Sequence, residues 1–136
     1  MSNRKRGYDW EDKIVKTFRR MGWNAVRLGS PSVHLPDVLA INNAEKRIVA
    51  IEAKASRGER IRVPQREIER LFDFLELFQA YERREAVIAI KFLKVRGKSL
   101  SESFYEVRCR SPGNIGIRRG ESPDNRCLAP WRVKRA

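Results

Sequence analysis

The feature that most constrains this chain is the order of its hydrophobic periodicities: helical, then β-like three times, then helical, then β-like twice. Between Tyr8 and Met21, Trp10, Ile14, Val15, Phe18 and Met21 recur at helical spacing, and Gly22 closes the run. Asn24 to Leu28, Asp37 to Asn42 and Arg47 to Ala55 read as strands, broken by Gly29-Ser30-Pro31-Ser32 and Asn43-Ala44-Glu45-Lys46. The last two form a hairpin. A second helix is expected to start after Pro64 and run to about Tyr81, and Ala86 to Phe92 and Phe104 to Val107 supply two more strands. This order implies an α/β domain with helices packed on a mixed sheet. From Cys109 onward Arg, Gly, Pro and Asn break every pattern, so residues 108–136 are expected to be an irregular basic segment of the same domain as residues 1–107.

A chain of 136 residues with 41% hydrophobic content buries one core rather than two. Thirty Lys and Arg against 17 Asp and Glu leave a net charge of +13, with a pI near 10.5, and such a field attracts polyanions. Nucleic acid is the leading partner. No membrane partner is expected, because the longest apolar runs, Ile48 to Ile51 and Ala86 to Ile90, are too short to span a bilayer. The N-terminal charges precede no apolar stretch, so a cytoplasmic, nucleoid-associated location is expected. Cys109 and Cys127 have no Cys or His at metal-ligand spacing, which argues against zinc. Free thiols are the expectation, with a bridge left open for a hyperthermophilic source.

Three acidic positions break the patterns around them. Glu11 sits within the apolar stripe of the first helix, while Asp9, Asp12, Lys13, Lys16 and Arg20 occupy the opposite side. A carboxylate there needs a partner, which could be a metal ion, an Arg or Lys, or a helix end. The strand Ile48-Val49-Ala50-Ile51-Glu52-Ala53-Lys54 ends its apolar run with two charges on one face, either a functional pair or a charge pair on an edge strand. If the hairpin loop is Asn43 to Lys46, Asn42 pairs with Arg47, and outward extension sets Asp37 opposite Glu52. Opposed residues on an antiparallel pair have Cβ atoms roughly 4.5–5.5 Å apart, where two ionised carboxylates repel. A divalent cation removes the conflict, and oxygen-only ligands suit Mg²⁺, with Mn²⁺ able to substitute. Lys54, one pleat further on, could orient or deprotonate an attacking water and offset charge on a phosphate.

Gly7 with Glu11, then Val26-Arg27, Gly29-Ser30, Pro36-Asp37 and Ile51-Glu52-Ala53-Lys54 resemble the archaeal Holliday junction resolvases, nucleases with a Pro-Asp, spacer, Glu-x-Lys signature. The likeness runs from Lys5 to about Val107 and includes the Phe74/Phe78 segment and Ala89-Ile90-Lys91-Phe92. It implies a restriction-endonuclease-like fold and a structure-selective, Mg²⁺-dependent endonuclease that resolves four-way junctions by paired phosphodiester hydrolysis. Under it Glu11, Asp37 and Glu52 are metal ligands, Lys54 is the catalytic lysine, Ser30 is a serine near the active site, and Arg27 serves junction binding or cleavage. Asp12 stands where some relatives carry an Arg, and His34 matches no family ligand and reads as a surface residue.

The resemblance also implies a homodimer. Ile68, Leu71, Phe72 and Leu75 make a core-facing stripe on the second helix, and Phe74, Leu77 and Tyr81 widen the apolar arc around its side; with Phe78 they are the interface candidates. A helix buried between sheet and tail would produce the same arc. Arg4, Lys5, Arg6, Arg57, Arg60, Arg62 and Arg66 are the candidate DNA contacts beside Arg27, with further Arg at 118–119 and basic residues at 132–135. Two rival readings remain: a nuclease of the same superfamily acting on other branched or linear DNA, and a DNA-binding protein without catalysis.

Overall fold

The computed structural model describes residues 3–29 and 34–132, with side chains described from Gly7. A first helix, α1 (Asn3–Arg20), precedes β1 (Asn24–Arg27), β2 (Val38–Asn42), β3 (Arg47–Ser56) and β4 (Arg60–Val63). Then follow α2 (Gln65–Leu75), β5 (Arg83–Phe92), β6 (Ser101–Val107), β7 (Ile115–Arg118) and β8 (Leu128–Pro130). Six strands form one sheet in the order β1-β2-β3-β5-β6-β8, and β4 pairs with β7 as a separate ribbon. Only β3 and β5 run parallel, because the crossover through β4 and α2 returns the chain to its starting edge; every other pair is antiparallel. The sheet is therefore mixed, as the element order implied.

The continuous apolar runs of β3 and β5 are explained by layers on both faces. Val49 and Ile51 pack with Trp10, Ile14, Val15 and Phe18 of α1. Ile48 and Ala50 pack with Ile68, Leu71 and Leu75 of α2. The β2–β3 register is the expected one, from Asn42↔Arg47 through Val38↔Ile51. Its turn is tied by the Asn42 side chain, which accepts the Glu45 N–H, and by Lys46, which adopts a φ of 53°. The end of α1 is set by Gly22 at φ 89°, past which the Trp23 N–H reaches back to the Phe18 carbonyl. The Phe18 and Trp23 rings stack edge-on 5.3 Å apart over this turn, the apolar contact that accompanies such a cap.

Three expectations are corrected by the chain's later course. The second helix stops at Leu75 rather than near Tyr81. The Gln79 side chain donates to the Glu76 carbonyl, and successive turns bring the Phe78 and Tyr81 rings back against the core. Apolar residues at 74, 75, 77 and 78 are too dense for one stripe; turning the chain packs Phe78 and Tyr81 on the core and leaves Leu77 exposed.

The segment after Val107 is not irregular throughout: it supplies β7 and β8 and ends its described part in the core. Ile115 and Ile117 join the α2 side of the core, and Trp131 packs on Phe18, Trp23 and Phe104 of the α1 side. The Trp131 indole N–H donates to Glu85 at 2.8 Å, and Arg47 balances that buried carboxylate at 2.8 Å. Pairing of Val107 with Leu128 brings Cys109 and Cys127 together at 5.3 Å between Cα atoms, where they form a disulfide. The free thiols are thus overturned; the two cysteines, at a sequence separation of 18, became neighbours through the pairing of β8 with β6. Among the described residues no helix is long and apolar enough to cross a membrane.

Trp131→Ala should cost about 3–5 kcal/mol of stability, the range for emptying a large aromatic site in a core. Urea unfolding with an unchanged m-value would measure it; a loss below about 0.5 kcal/mol, typical of surface positions, would make the segment peripheral.

Candidate active site

The β2–β3 hairpin sets up the site by gripping one strand with one side chain. The Asp37 N–H donates to the Ile51 carbonyl at 3.1 Å, and Asp37 Oδ2 accepts the Ala53 N–H at 2.8 Å. Asp37 thus binds the β3 backbone on both sides of Glu52. On its other side the Asp37 carbonyl accepts the Leu28 N–H at 3.0 Å, which anchors it to the end of β1. β3 is an interior strand between β2 and β5, so Glu52 and Lys54 are not a charge pair on a sheet edge.

Confinement shows in the acidities. Burial raises the Glu52 carboxyl to about 9, helped by the Asp37 charge and a hydrogen bond with Asp37, and also by Glu67; Lys54 opposes the rise. Glu11, reaching the same region from α1, is raised to about 7 by burial and by the Asp37 charge, against the pull of Arg27. Arg27 Nε lies 3.5 Å from Glu11 Oε1, an ion contact too long for a strong hydrogen bond, and the guanidinium covers the Tyr8 ring at 3.6 Å. Glu11 therefore has the Arg partner that was one of its open alternatives. Arg27 is a local counterion as well as a candidate DNA contact.

Lys54 has a partner that the sequence pattern did not reveal. Its Nζ lies 3.0 and 2.9 Å from the two Glu67 carboxylate oxygens, in a pair only 29% and 19% exposed. Glu67 stands in the first turn of α2, where acids are common for helix-end reasons, so nothing along the chain distinguished it. The sheet pleat and the α2 docking bring it to Lys54.

The remaining candidates are spread more widely. Arg57, Arg60, Arg62 and Arg66 are exposed along the loop after β3, on β4 and at the start of α2, and His34 is exposed before Asp37. Ser30 and residues 133–135 lie outside the described residues, as do the side chains of Arg4, Lys5 and Arg6 in the first turns of α1. Phe74, Phe78 and Tyr81 form a ladder of rings 5.1 and 6.2 Å apart on the core surface, and Leu77 beside them is 75% exposed.

A family model for the archaeal Holliday junction resolvases matches residues 2–119. This chain belongs to that family. Proteins named crossover junction endodeoxyribonuclease Hje, from Sulfolobus acidocaldarius and Saccharolobus solfataricus, are 35% and 33% identical to it over 97 residues. The match covers 68% of this chain and 66% and 68% of those proteins, just under two thirds of the first. The solved structure of Archaeoglobus fulgidus Hjc, a Holliday junction resolvase, is similar with a TM-score of 0.61 over 83% of this chain and 84% of that one. At 22% identity that likeness shows the restriction-endonuclease-like fold.

Membership in this resolvase family implies use of a divalent metal. Among the described residues no group of three or more His, Cys, Asp or Glu side chains is gathered closely enough to hold one. Asp37 and Glu52 nevertheless fit the role: they are oxygen-only donors, and burial together with the Asp37 charge holds a proton on Glu52 that a cation could displace. Glu11 is engaged by Arg27 in this structure.

In metal-free buffer the folded chain keeps a proton on Glu52 that the unfolded chain releases near the ordinary value of 4.5. Stability should therefore fall as pH rises from that value to about 9, and Glu52→Gln should flatten this decline and melt higher than wild type at about pH 8. Thermal melts across this range with chelator check it; parallel curves for both proteins would remove Glu52 as the source.

Proposed function

We propose that this protein is a homodimeric, divalent-metal-dependent endonuclease that resolves four-way DNA junctions by paired strand cleavage, acting in the cytoplasm in association with the nucleoid. The observation that carries this reading is the pressing together of Asp37 and Glu52 beside the Lys54–Glu67 pair, in a chain of this family. Asp37 and Glu52 would hold Mg²⁺, or Mn²⁺ in its place, with Glu11 in support. A bound cation would supply Lewis acidity and a more acidic water.

The chain's own residues supply position and charge. Asp37 is fixed by two contacts to β3, so its carboxylate cannot swing away from Glu52. Lys54 offers a cation near the scissile phosphate, able to orient the attacking water and to offset developing charge. Glu67 holds the Lys54 ammonium in place; it is a positioning residue. Exposed Arg57, Arg60, Arg62 and Arg66, with Arg27, Arg4, Lys5 and Arg6, would hold phosphates and carry little base information. Ser30, outside the described residues, is assigned to the neighbourhood of the active site through the family resemblance alone.

A four-way junction presents two symmetry-related strands near its crossover, which suits a two-fold dimer with two identical sites. Leu77, exposed beside the Phe74, Phe78 and Tyr81 ring ladder, supports an interface on that side of the molecule.

Purified protein incubated with a four-way junction or a matched linear duplex, with and without Mg²⁺, should nick the junction at two opposed strands and cut the duplex poorly. Asp37→Asn should abolish cleavage while binding persists, and Glu67→Gln should slow it about 10–100-fold, as expected for a partner that orients a catalytic group. Equal cutting of duplex and junction would favour a general nuclease of the superfamily; binding without any cutting would favour a non-catalytic protein.

Sedimentation should find the wild type dimeric and Leu77→Glu shifted to monomer, because the change places a charge in an apolar contact. A wild type already monomeric at about micromolar concentration, well above the Kd of a stable dimer, would refute the interface.

A further inference from the structure

The two-stranded ribbon of β4 and β7 divides its residues cleanly. Ile61, Val63, Ile115 and Ile117 are buried in the core that also holds Ala50, Ile68 and Leu71, on the side of the sheet covered by α2. Arg60, Arg62, Gly116 and Arg118 occupy the exposed face. The register sets Arg60 directly opposite Arg118, and Arg62 opposite Gly116.

Like charges opposed on an antiparallel pair destabilise it, and here no side chain relieves them. Among the described residues none of Arg60, Arg62 and Arg118 is in an ion pair, while nearby Glu59 is paired with Lys98. Glu121 is the other acid lining the cleft beside Arg60 and Arg118. Gly116 has open space where a Cβ would stand, so a large partner can approach the ribbon backbone at that point. Arg60 and Arg62 lie two residues apart on an extended strand, roughly 6.6 Å, a step comparable with that between successive phosphates of one nucleic-acid strand.

Arg119, next in sequence, is committed elsewhere. Its guanidinium donates to the carbonyls of Arg57, Gly58 and Ser99 at 3.1–3.2 Å and lies 5.1 Å from the Phe92 ring centroid. Its backbone N–H donates to the Glu59 carbonyl at 2.8 Å. It fastens the loop after β3 to the ribbon and holds the neighbouring Arg outward.

We propose that the exposed face of the β4–β7 ribbon, Arg60 and Arg62 of β4 with Arg118 of β7, is a clamp for the phosphate backbone of a duplex DNA arm. This rests on the nuclease reading above and adds where an arm lies on the protein. Opposed guanidinium forks bracket phosphate oxygens from two sides, and a phosphate between them converts their repulsion into attraction. The clamp grips backbone, so it is indifferent to base sequence.

The test is the salt dependence of binding, measured by fluorescence anisotropy on a four-way junction and a linear duplex in chelator. Removing one Arg–phosphate interaction lowers the slope of log K against log salt by about 0.9. Arg118→Ala should reduce the slope by about one per ribbon engaged, and Arg60→Ala with Arg118→Ala by about two. Affinity at moderate salt should fall several-fold on DNA of any sequence, with no loss of melting temperature, and Arg118→Lys should retain most of the slope. Arg119→Ala, by contrast, should lower the melting temperature. An unchanged slope in the double variant, while wild type still cuts junctions, overturns the clamp and leaves the nuclease reading standing. Wild-type protein without salt-dependent DNA affinity overturns both.

Discussion

The structure depends on a single backbone clasp, the grip of Asp37 on β3. A carboxylate that accepts one N–H of a neighbouring strand, while its own N–H satisfies a carbonyl two residues earlier, cannot relax away from what lies between. Glu52 lies between. The cost is electrostatic: two acids are held where only one ionises easily, and Glu52 keeps its proton to about 9. Raised acidities in a site of oxygen donors are what the proposed cation site would require, and the surrounding architecture holds those donors still.

Each layer of the domain supplies this site with one charged pair. From α1 comes Glu11, met by Arg27 of β1; from α2 comes Glu67, which meets Lys54 of β3. The pairs are on opposite faces of the sheet because α1 packs on the side of Val49 and Ile51 and α2 on the side of Ile48 and Ala50. Without substrate the two cations are thus engaged by protein carboxylates. Under the proposed nuclease reading, DNA phosphates entering the site would compete for Arg27 and Lys54, coupling substrate binding to release of Glu11 and Glu67.

The basic charge is likewise sorted by tertiary structure. Arg47 is a core counterion to Glu85, and Arg119 is a bracket between loops. Arg110 reaches Asp73 and Glu76 beside the end of α2. Among the described residues Arg60, Arg62 and Arg118 have no such ion pair. A net charge of +13 predicts a polyanion partner, but which guanidinium groups remain available for it depends on which ones the fold consumes.

Much of the site was legible because it is local or obeys a fixed period. The hairpin loop and alternate pleat were enough to bring Asp37 towards Glu52, and the place of Glu11 in an apolar stripe was visible at helical spacing. The mixed sheet followed from the order of periodicities. What depended on distant segments could not be read in this way. Glu67 looks like an ordinary helix-start acid until α2 docks over β3, and Cys109 and Cys127 are unrelated until β8 pairs with β6. The early end of α2 and the entry of Trp131 into the core depend on available space, not on propensity. Periodicity specifies which face of an element is apolar; which other element covers that face, and hence which charges meet, is decided by packing between segments far apart in the chain.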